Sequence, residues 1–310
     1  MPLIDTLRSI VGAPHCLAAD IDMAPYLTDW RGRYTGRARA VVLPADTAQV
    51  AAVMRACAAA GCPVVPQGGN TGLCGGATPL ADGAAVVVNL SRLRRIRSVD
   101  AANNALCAEA GVPLAAVQAA AQEADRLFPL ALASEGSCEV GGVISTNAGG
   151  VQVLRYGNMR ELTLGLQVVL PSGKIWDGLR GLRKDNTGYD LRNLFIGSEG
   201  TLGIITAATM KLFPQPVARL TAFAAVPSMQ AAVRLLGLAH QHLGAGLTGF
   251  EVMGRFALEL VNKHYPQLRV PFIDQSGVPY GVLLENSDSE SEDHARTRFE
   301  ALMEAAFEAG

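Results

Sequence analysis

Pro63-Val64-Val65-Pro66-Gln67-Gly68-Gly69-Asn70-Thr71-Gly72-Leu73-Cys74-Gly75-Gly76 decides how this chain is read. It begins as a short buried strand and runs into a loop with almost no side chain on it. Glycine reaches positive φ without a Cβ clash and lets backbone approach a partner closely. A run of N–H groups freed in this way forms a concave nest for an anion, most often a phosphate. A helix pattern over 47–60 precedes the strand and a second strand, 85–89, follows the loop, so packed elements hold it at both ends. Taken alone, the stretch also reads as a mobile Gly-rich surface turn.

A second small-residue stretch, 128–150, weakens that alternative. Its heart is Ser134-Glu135-Gly136-Ser137-Cys138-Glu139-Val140-Gly141-Gly142-Val143-Ile144-Ser145-Thr146-Asn147-Ala148-Gly149-Gly150. Such a segment packs flat against something large; a tight helix–sheet contact without a ligand satisfies it equally well. A third, Gly197-Ser198-Glu199-Gly200-Thr201-Leu202-Gly203, leads into a strand over 204–213.

Around these stretches the chain reads as layered α and β. Residues 1–39 show little periodicity and are expected to form an N-terminal arm packed on the body. A strand at 41–43 is followed by a helix with Val50, Val53, Met54 and Cys57 on one face, entered at Asp46 and ended by Gly61. Pro113 is expected at the first position of a helix running to about 125. The strand 164–170 turns at 171–174 into 175–177, a hairpin. Asp190 is expected to cap a helix over 191–196. After Pro216 the Gly-rich loops cease. Strand 220–226, a helix capped by Ser228, strand 247–253, a short helix with Phe256, Leu260 and Val261 on one face, strand 280–285 and a helix over about 290–308 follow. Without the short helix the order is β-α-β-β-α. A split βαβ sheet needs one more strand, which would begin at Gly310. The chain is therefore expected to be the N-terminal part of a longer protein, or to receive that strand from a partner.

Composition narrows the function classes. The 310 residues are 49% apolar and 17% charged, which suits a globular protein with a large core and two domains. A net charge of −2, no basic block and 5% aromatic content argue against nucleic acid as a partner. Six cysteines at 16, 57, 62, 74, 107 and 138 make no CxxC and are expected as buried small hydrophobes in a reducing compartment. No apolar run approaches the ~18 to 20 residues of a membrane span, and the first nineteen residues do not read as a signal peptide, so the expected location is cytoplasmic.

Two nucleotide motifs are absent: no GxGxxG follows a strand, and Gly173-Lys174 lacks the rest of a P-loop. Separated small-residue segments in one domain suit a long ligand with an anionic middle. No Lys or Arg cluster stands in these loops, so main-chain N–H groups must meet that charge.

Six motifs, in order, resemble the FAD-linked oxidase family, the vanillyl-alcohol-oxidase or p-cresol-methylhydroxylase (PCMH) type of flavoprotein. They are Pro66-Gln67-Gly68-Gly69-Asn70-Thr71-Gly72, Gly136-Ser137 with Gly141-Gly142, Thr146-Asn147-Ala148-Gly149-Gly150, Arg155-Tyr156-Gly157, Lys184-Asp185-Asn186-Thr187-Gly188-Tyr189-Asp190-Leu191 and 197–206. The branch they resemble is the D-2-hydroxyglutarate, D-lactate and glycolate dehydrogenases. The resemblance implies an α+β fold: an FAD-binding domain over 40–216, of two α/β subdomains (about 40–92 and 93–216), then an incomplete ferredoxin-like cap domain over 217–310. It implies that Pro66, Gly68, Gly69, Asn70, Thr71 and Gly72 embrace the FAD diphosphate. Ser137, Gly141, Gly142, Thr146, Asn147 and Gly150 would line the flavin and its ribityl chain, and Gly203 and Ile204 would meet the adenosine end. Tyr156, Gly157 and Glu199 complete the expected cofactor set, with Glu199 bracing its own turn. Relatives that attach the flavin covalently use a histidine where this chain has Asn70, so FAD is expected to be dissociable.

Oxidising a 2-hydroxy acid also needs a proton acceptor and a cation for the carboxylate. His240 and His242 point apart on a helix, and His15, His264 and His294 are isolated, so no pair has metal-ligand spacing. By resemblance the catalytic residues, and any divalent metal such as zinc, lie beyond Gly310. Arg155, Lys184 and Asn186 are the polar residues expected nearest the flavin or substrate; solvated loop charges or structural ion pairs are the alternative for the first two. The implied partners are a small 2-hydroxy acid and an electron acceptor such as an electron-transfer flavoprotein, a quinone or a cytochrome; a homodimer is compatible. The readings in competition are the dehydrogenase itself, a non-catalytic FAD-binding subunit of a glycolate-oxidase-type complex, and a nucleotide-binding module without redox function.

Overall fold

The computed structural model describes residues 2–275 and 277–309, so Met1 and the expected strand start at Gly310 lie outside the described residues. Two compact units emerge: residues 1–148 with 158–214, and residues 149–157 with 215–310.

The first unit opens with α1 (Leu3–Val11), β1 (Cys16–Leu17) and α2 (Asp20–Met23). The N-terminal arm is thus more ordered than its sequence pattern suggests. Leu7 and Val11 of α1 are buried against the layer that follows, and β1 pairs antiparallel with β2 (Ala40–Val42). The helical period of Leu3, Leu7, Ile10 and Val11 is present in the sequence, but the helix is only nine residues long and Pro2 supplies no side-chain cap to mark its start. Next come α3 (Thr47–Ala59), β3 (Val64–Gln67) and β4 (Val86–Asn89). Asp46 caps α3, its carboxylate accepting from the Gln49 N–H at 2.8 Å. The sheet order is β1-β2-β4-β3, with β4 parallel to both neighbours. Val86, Val87 and Val88 are fully buried, as expected of a central parallel strand covered on both faces.

The second layer begins with β5 (Ile96–Asp100) and β6 (Ala105–Glu109), then α4 (Leu114–Glu123) and β7 (Arg126–Leu127). Pro113 is extended, at φ −61° and ψ 145°, and therefore stands just before α4 rather than inside it. The small-residue stretch folds as α5 (Val140–Ser145); α6 (Val153–Tyr156) belongs to the second unit, and α7 (Met159–Leu162) returns to the first. β8 (Thr163–Val169), β9 (Ile175–Gly178), α8 (Arg192–Phe195), β10 (Ile204–Lys211) and β11 (Phe213–Pro214) complete it. The antiparallel sheet runs β5-β6-β10-β8-β9, and β7 pairs with β11. Leu191, not Asp190, precedes the first residue of α8. The Asp190 carboxylate instead receives the Arg192 guanidinium at 2.8 Å and is held below the ordinary carboxylate range by it.

In the second unit β12 (Ala218–Val226), α9 (Met229–Leu243), β13 (Leu247–Gly254), α10 (Arg255–His264), β14 (Tyr280–Asp288) and α11 (Glu292–Glu308) follow in order. The strands form an antiparallel sheet, β12-β14-β13, with α9 and α11 closing a core that includes Leu235, Leu284 and Leu302. Ser228 and Ser291 cap the two helices. The face of α10 behaves otherwise than its pattern suggests: Phe256, Leu260 and Val261 are exposed, and α10 buries no residue. Within this unit His294 Nδ1 lies 2.7 Å from an Asp288 carboxylate oxygen. Among the described residues, no helix is long and apolar enough to cross a membrane.

Candidate functional site

The first loop hangs from the ends of two adjacent parallel strands. Gln67 and Asn89, register partners on β3 and β4, are both buried. The Gln67 amide nitrogen donates to the Tyr26 and Ala77 carbonyls, each at 2.9 Å, and so ties the two ends of the loop together. The Asn89 amide nitrogen donates to the Gln67 side-chain oxygen at 3.2 Å and to the Gly68 carbonyl at 3.1 Å. Asn70, at φ 52°, donates from its side chain to the Thr28 carbonyl at 2.8 Å. With its base pinned in this way, the loop keeps its donors free. Among the described residues, no main-chain N–H from Gly68 to Ala77 donates to a protein acceptor.

The second and third segments close around it. A Cβ built on Gly69 would stand 1.9 Å from the Ser137 carbonyl oxygen, so only glycine admits this contact. The Gly141 N–H donates to the Ala110 carbonyl at 2.7 Å and seats α5 on the end of β6. The Gly197 N–H donates to Ile144 and the Glu199 N–H to Ser145, at 3.1 and 2.9 Å, which fastens the third segment to α5. Glu199 does not brace its own turn. At φ 52° it sends its carboxylate across to the first loop, one oxygen 2.9 Å from where a Gly76 Cβ would stand.

Together the three segments wall one cavity of about 410 Å³, within the size range of small-molecule sites. Of the residues expected from sequence, Pro66, Gly68, Gly69, Asn70, Thr71, Gly72, Gly141, Gly142, Thr146, Glu199, Gly203 and Ile204 line it. Ser137 stands behind Gly69, and Asn147, at φ 50°, turns the chain and accepts the Arg160 N–H at 2.9 Å; neither lines the cavity. Gly150, Arg155, Tyr156 and Gly157 belong to the second unit. There Arg155 lies over the Tyr156 ring at 4.9 Å and donates to the Ser287 carbonyl at 3.4 Å. Lys184 and Asn186 sit on an exposed stretch away from the cavity lining.

Among the described residues no Lys or Arg lines the cavity; the ionisable side chains there are Cys74, Cys138, Glu139 and Glu199. Cys74 departs from the expected burial, because it lies exposed on the glycine loop, and Cys107 is half-buried. Burial raises the Cys138 thiol pKa. Glu139 is the residue that sequence reasoning missed. It is 4% exposed, and its Oε2 lies 3.2 Å from a Cβ position on Gly68. That oxygen has no hydrogen-bond partner among the described residues. Burial pushes its pKa up to about 7, against the smaller opposing pull of Arg94. A smaller cavity of about 280 Å³, touching Cys57 and Cys62, adjoins the first through Pro66, Gly200, Gly203 and Ile204. The Cys57 thiol pKa is raised to about 12, mainly by burial.

An α+β unit whose glycine loops offer a line of unused amides to one cavity is the architecture of a PCMH-type flavoprotein. Over 99% of this chain and 64% of the other, the structure superimposes on p-cresol methylhydroxylase with substrate bound, with a TM-score of 0.79 and 17% identity; at that identity the likeness is one of fold. Residues 38–178 match the FAD binding domain family. The chain is 37% identical to the D-2-hydroxyglutarate–pyruvate transhydrogenase DLD3 of Saccharomyces cerevisiae, over 91% of this chain and 56% of that protein. It is 39% identical to a D-2-hydroxyglutarate dehydrogenase of Xanthomonas citri pv. viticola, over 98% and 63%. Residues 38–178 thus carry an FAD binding domain, and the chain is similar to D-2-hydroxyglutarate dehydrogenases, spanning between 50% and 63% of the length of these relatives.

Proposed function

We propose that this chain holds dissociable FAD in the first unit's cavity and serves the oxidation of a D-2-hydroxy acid, D-2-hydroxyglutarate or D-lactate, to the 2-oxo acid. The electrons would pass to an acceptor other than oxygen, such as an electron-transfer flavoprotein, a quinone or a cytochrome. The observation that carries the cofactor assignment is the run of ten main-chain N–H groups, Gly68 to Ala77, free of protein acceptors among the described residues, beside a wall in which none of those residues is Lys or Arg. Such a run suits a diphosphate, whose charge is spread over several acceptor oxygens. Bound FAD supplies the hydride acceptor; the protein supplies position and charge.

The remaining roles are those of this chain's own residues. The first loop receives the diphosphate, while α5 and the turn after it back the flavin and its ribityl chain. Gly203 and Ile204 serve the adenosine end. Gln67 and Asn89 hold the loop in its receptive form. Asn70, tied to Thr28, carries no nucleophilic ring for a covalent link. The names of these relatives, which specify D-2-hydroxyglutarate or D-lactate, support the substrate class.

A visible spectrum of the purified chain is expected to show oxidised-flavin bands, which D-2-hydroxyglutarate or D-lactate bleaches anaerobically in the active protein. Denaturation and filtration should carry the colour into the filtrate. A colourless protein that takes up no FAD would overturn the cofactor assignment. Colour retained on the polypeptide would overturn dissociable binding, and flavin untouched by either acid would overturn the substrate class.

A further inference from the structure

Glu139 is the buried carboxyl of the cavity wall, and one of its oxygens finds no hydrogen-bond partner among the described residues. Its Oε2 is buried without a partner among the described residues, at the point where Gly68 begins the run of free amides. Native proteins seldom leave such an atom unpaired unless a ligand or water completes it. The wall carries a second carboxyl, Glu199, and no cation. A ligand with an anionic centre would therefore meet one negative charge fewer if Glu139 kept its proton. In the protonated form the same side chain becomes an O–H donor.

We propose that Glu139 acts as a proton-bearing positioning residue, donating a hydrogen bond to the anionic centre of the cofactor beside Gly68, so that FAD binding takes up a proton. This rests on FAD occupying the cavity. The ionisable groups around Glu139 are consistent with it. Arg94, from the turn between β4 and β5, favours the ionised carboxylate but is outweighed by burial. Cys138, its chain neighbour, is a buried thiol whose own pKa is raised, and Glu199 lies in the opposing segment. With an ordinary carboxyl the proton would be lost far below neutral pH. Here burial keeps Glu139 titrating in the neutral range, where an anion can draw the proton in.

The test is a fluorescence titration of the flavin-stripped full chain with FAD at pH 6.5, 7.5 and 8.5. The dissociation constant of the wild type is expected to rise by about 25-fold across this range, since for a carboxyl at about 7 that stays protonated in the complex the cost of supplying the proton grows steeply above neutrality. Glu139→Gln, which keeps an N–H donor and cannot ionise, is expected to bind with pH-independent affinity close to the wild-type value at pH 6.5. A wild-type constant that stays within twofold from pH 6.5 to 8.5 would overturn the inference, and this arm needs no variant. A Glu139→Gln protein that keeps the wild-type slope would overturn it too. Absence of FAD binding at every pH would bring down the cofactor assignment first and this inference with it, whereas tight binding indifferent to pH removes this inference alone.

Discussion

Replacing Glu139 with glutamine tests the physics of the cavity wall with no ligand present. Glu139 is 4% exposed, and burial lifts its carboxyl from an ordinary 4.5 to about 7. The folded chain therefore holds this proton more tightly than the unfolded chain does. Its contribution to stability is fully present below about pH 4.5, falls as pH rises towards 7 and is gone above that. At about 1.4 kcal/mol per pH unit, the loss is roughly 3 kcal/mol. Glutamine does not titrate, so Glu139→Gln should lack this loss. An unpaired amide costs about 1–3 kcal/mol of its own, but equally at every pH. The diagnostic quantity is therefore the change in the mutant-minus-wild-type difference between pH 4.5 and pH 8, expected near 3 kcal/mol in favour of the mutant. Urea unfolding of the flavin-free chain, followed by tryptophan fluorescence, measures it, because Trp30 and Trp176 both lie in the first unit. Parallel pH profiles, differing by a constant within about 0.5 kcal/mol, would refute the assignment of Glu139 as a buried carboxyl that titrates near neutrality.

Gly69→Ala forces a methyl to within 1.9 Å of the Ser137 carbonyl, so the two segments must part. Flavin retention during gel filtration should be lost, with a stability cost of about 1–3 kcal/mol; retention equal to wild type would show that the contact does not shape the cavity. In the second unit, Leu284→Ala empties a fully buried site on the central strand β14 and should cost about 2–5 kcal/mol by urea unfolding read by circular dichroism. A loss under 1 kcal/mol would mean that the core of this unit does not depend on that strand.

Backbone requirements were legible in the sequence, while side-chain partners were not. The glycines at 68, 69, 141 and 203 advertise close approach, and all four line the cavity. The helix after Ser228 begins where its cap was expected, and the one after Asp46 begins where the chain was expected to turn, whereas the Ser291 cap emerges from the structure. Gln67 and Asn89 gave no such sign, because each looks like an ordinary strand-end amide until the parallel register sets them side by side. Glu139 was harder still: a carboxylate between Cys138 and Val140 reads as surface, and only the packing of α5 on β6 buries it. Lys184 and Asn186 were drawn towards the site by their motif alone; the stretch that carries them is exposed, and the cavity lining does not include it. The exposed face of α10 shows the converse, since apolar periodicity marks a face without saying what covers it.

Ten unpaired donors in one loop would be a serious defect if they were dry, at about 1–3 kcal/mol for each buried N–H left unanswered. The loop is open to water, since every residue from Gly68 to Ala77 is exposed or half-exposed. Binding then exchanges water for acceptor oxygens, and the net gain depends on whether the loop already holds its receptive shape. The Gln67, Asn89 and Asn70 side-chain bonds meet that need with neutral groups at the base and flank of the loop. A cation in the wall would attract any anion, whereas ordered amides select one whose oxygens match their spacing. In such a wall Glu139 is the carboxyl that the fold buries and, among the described residues, leaves with an unpartnered oxygen.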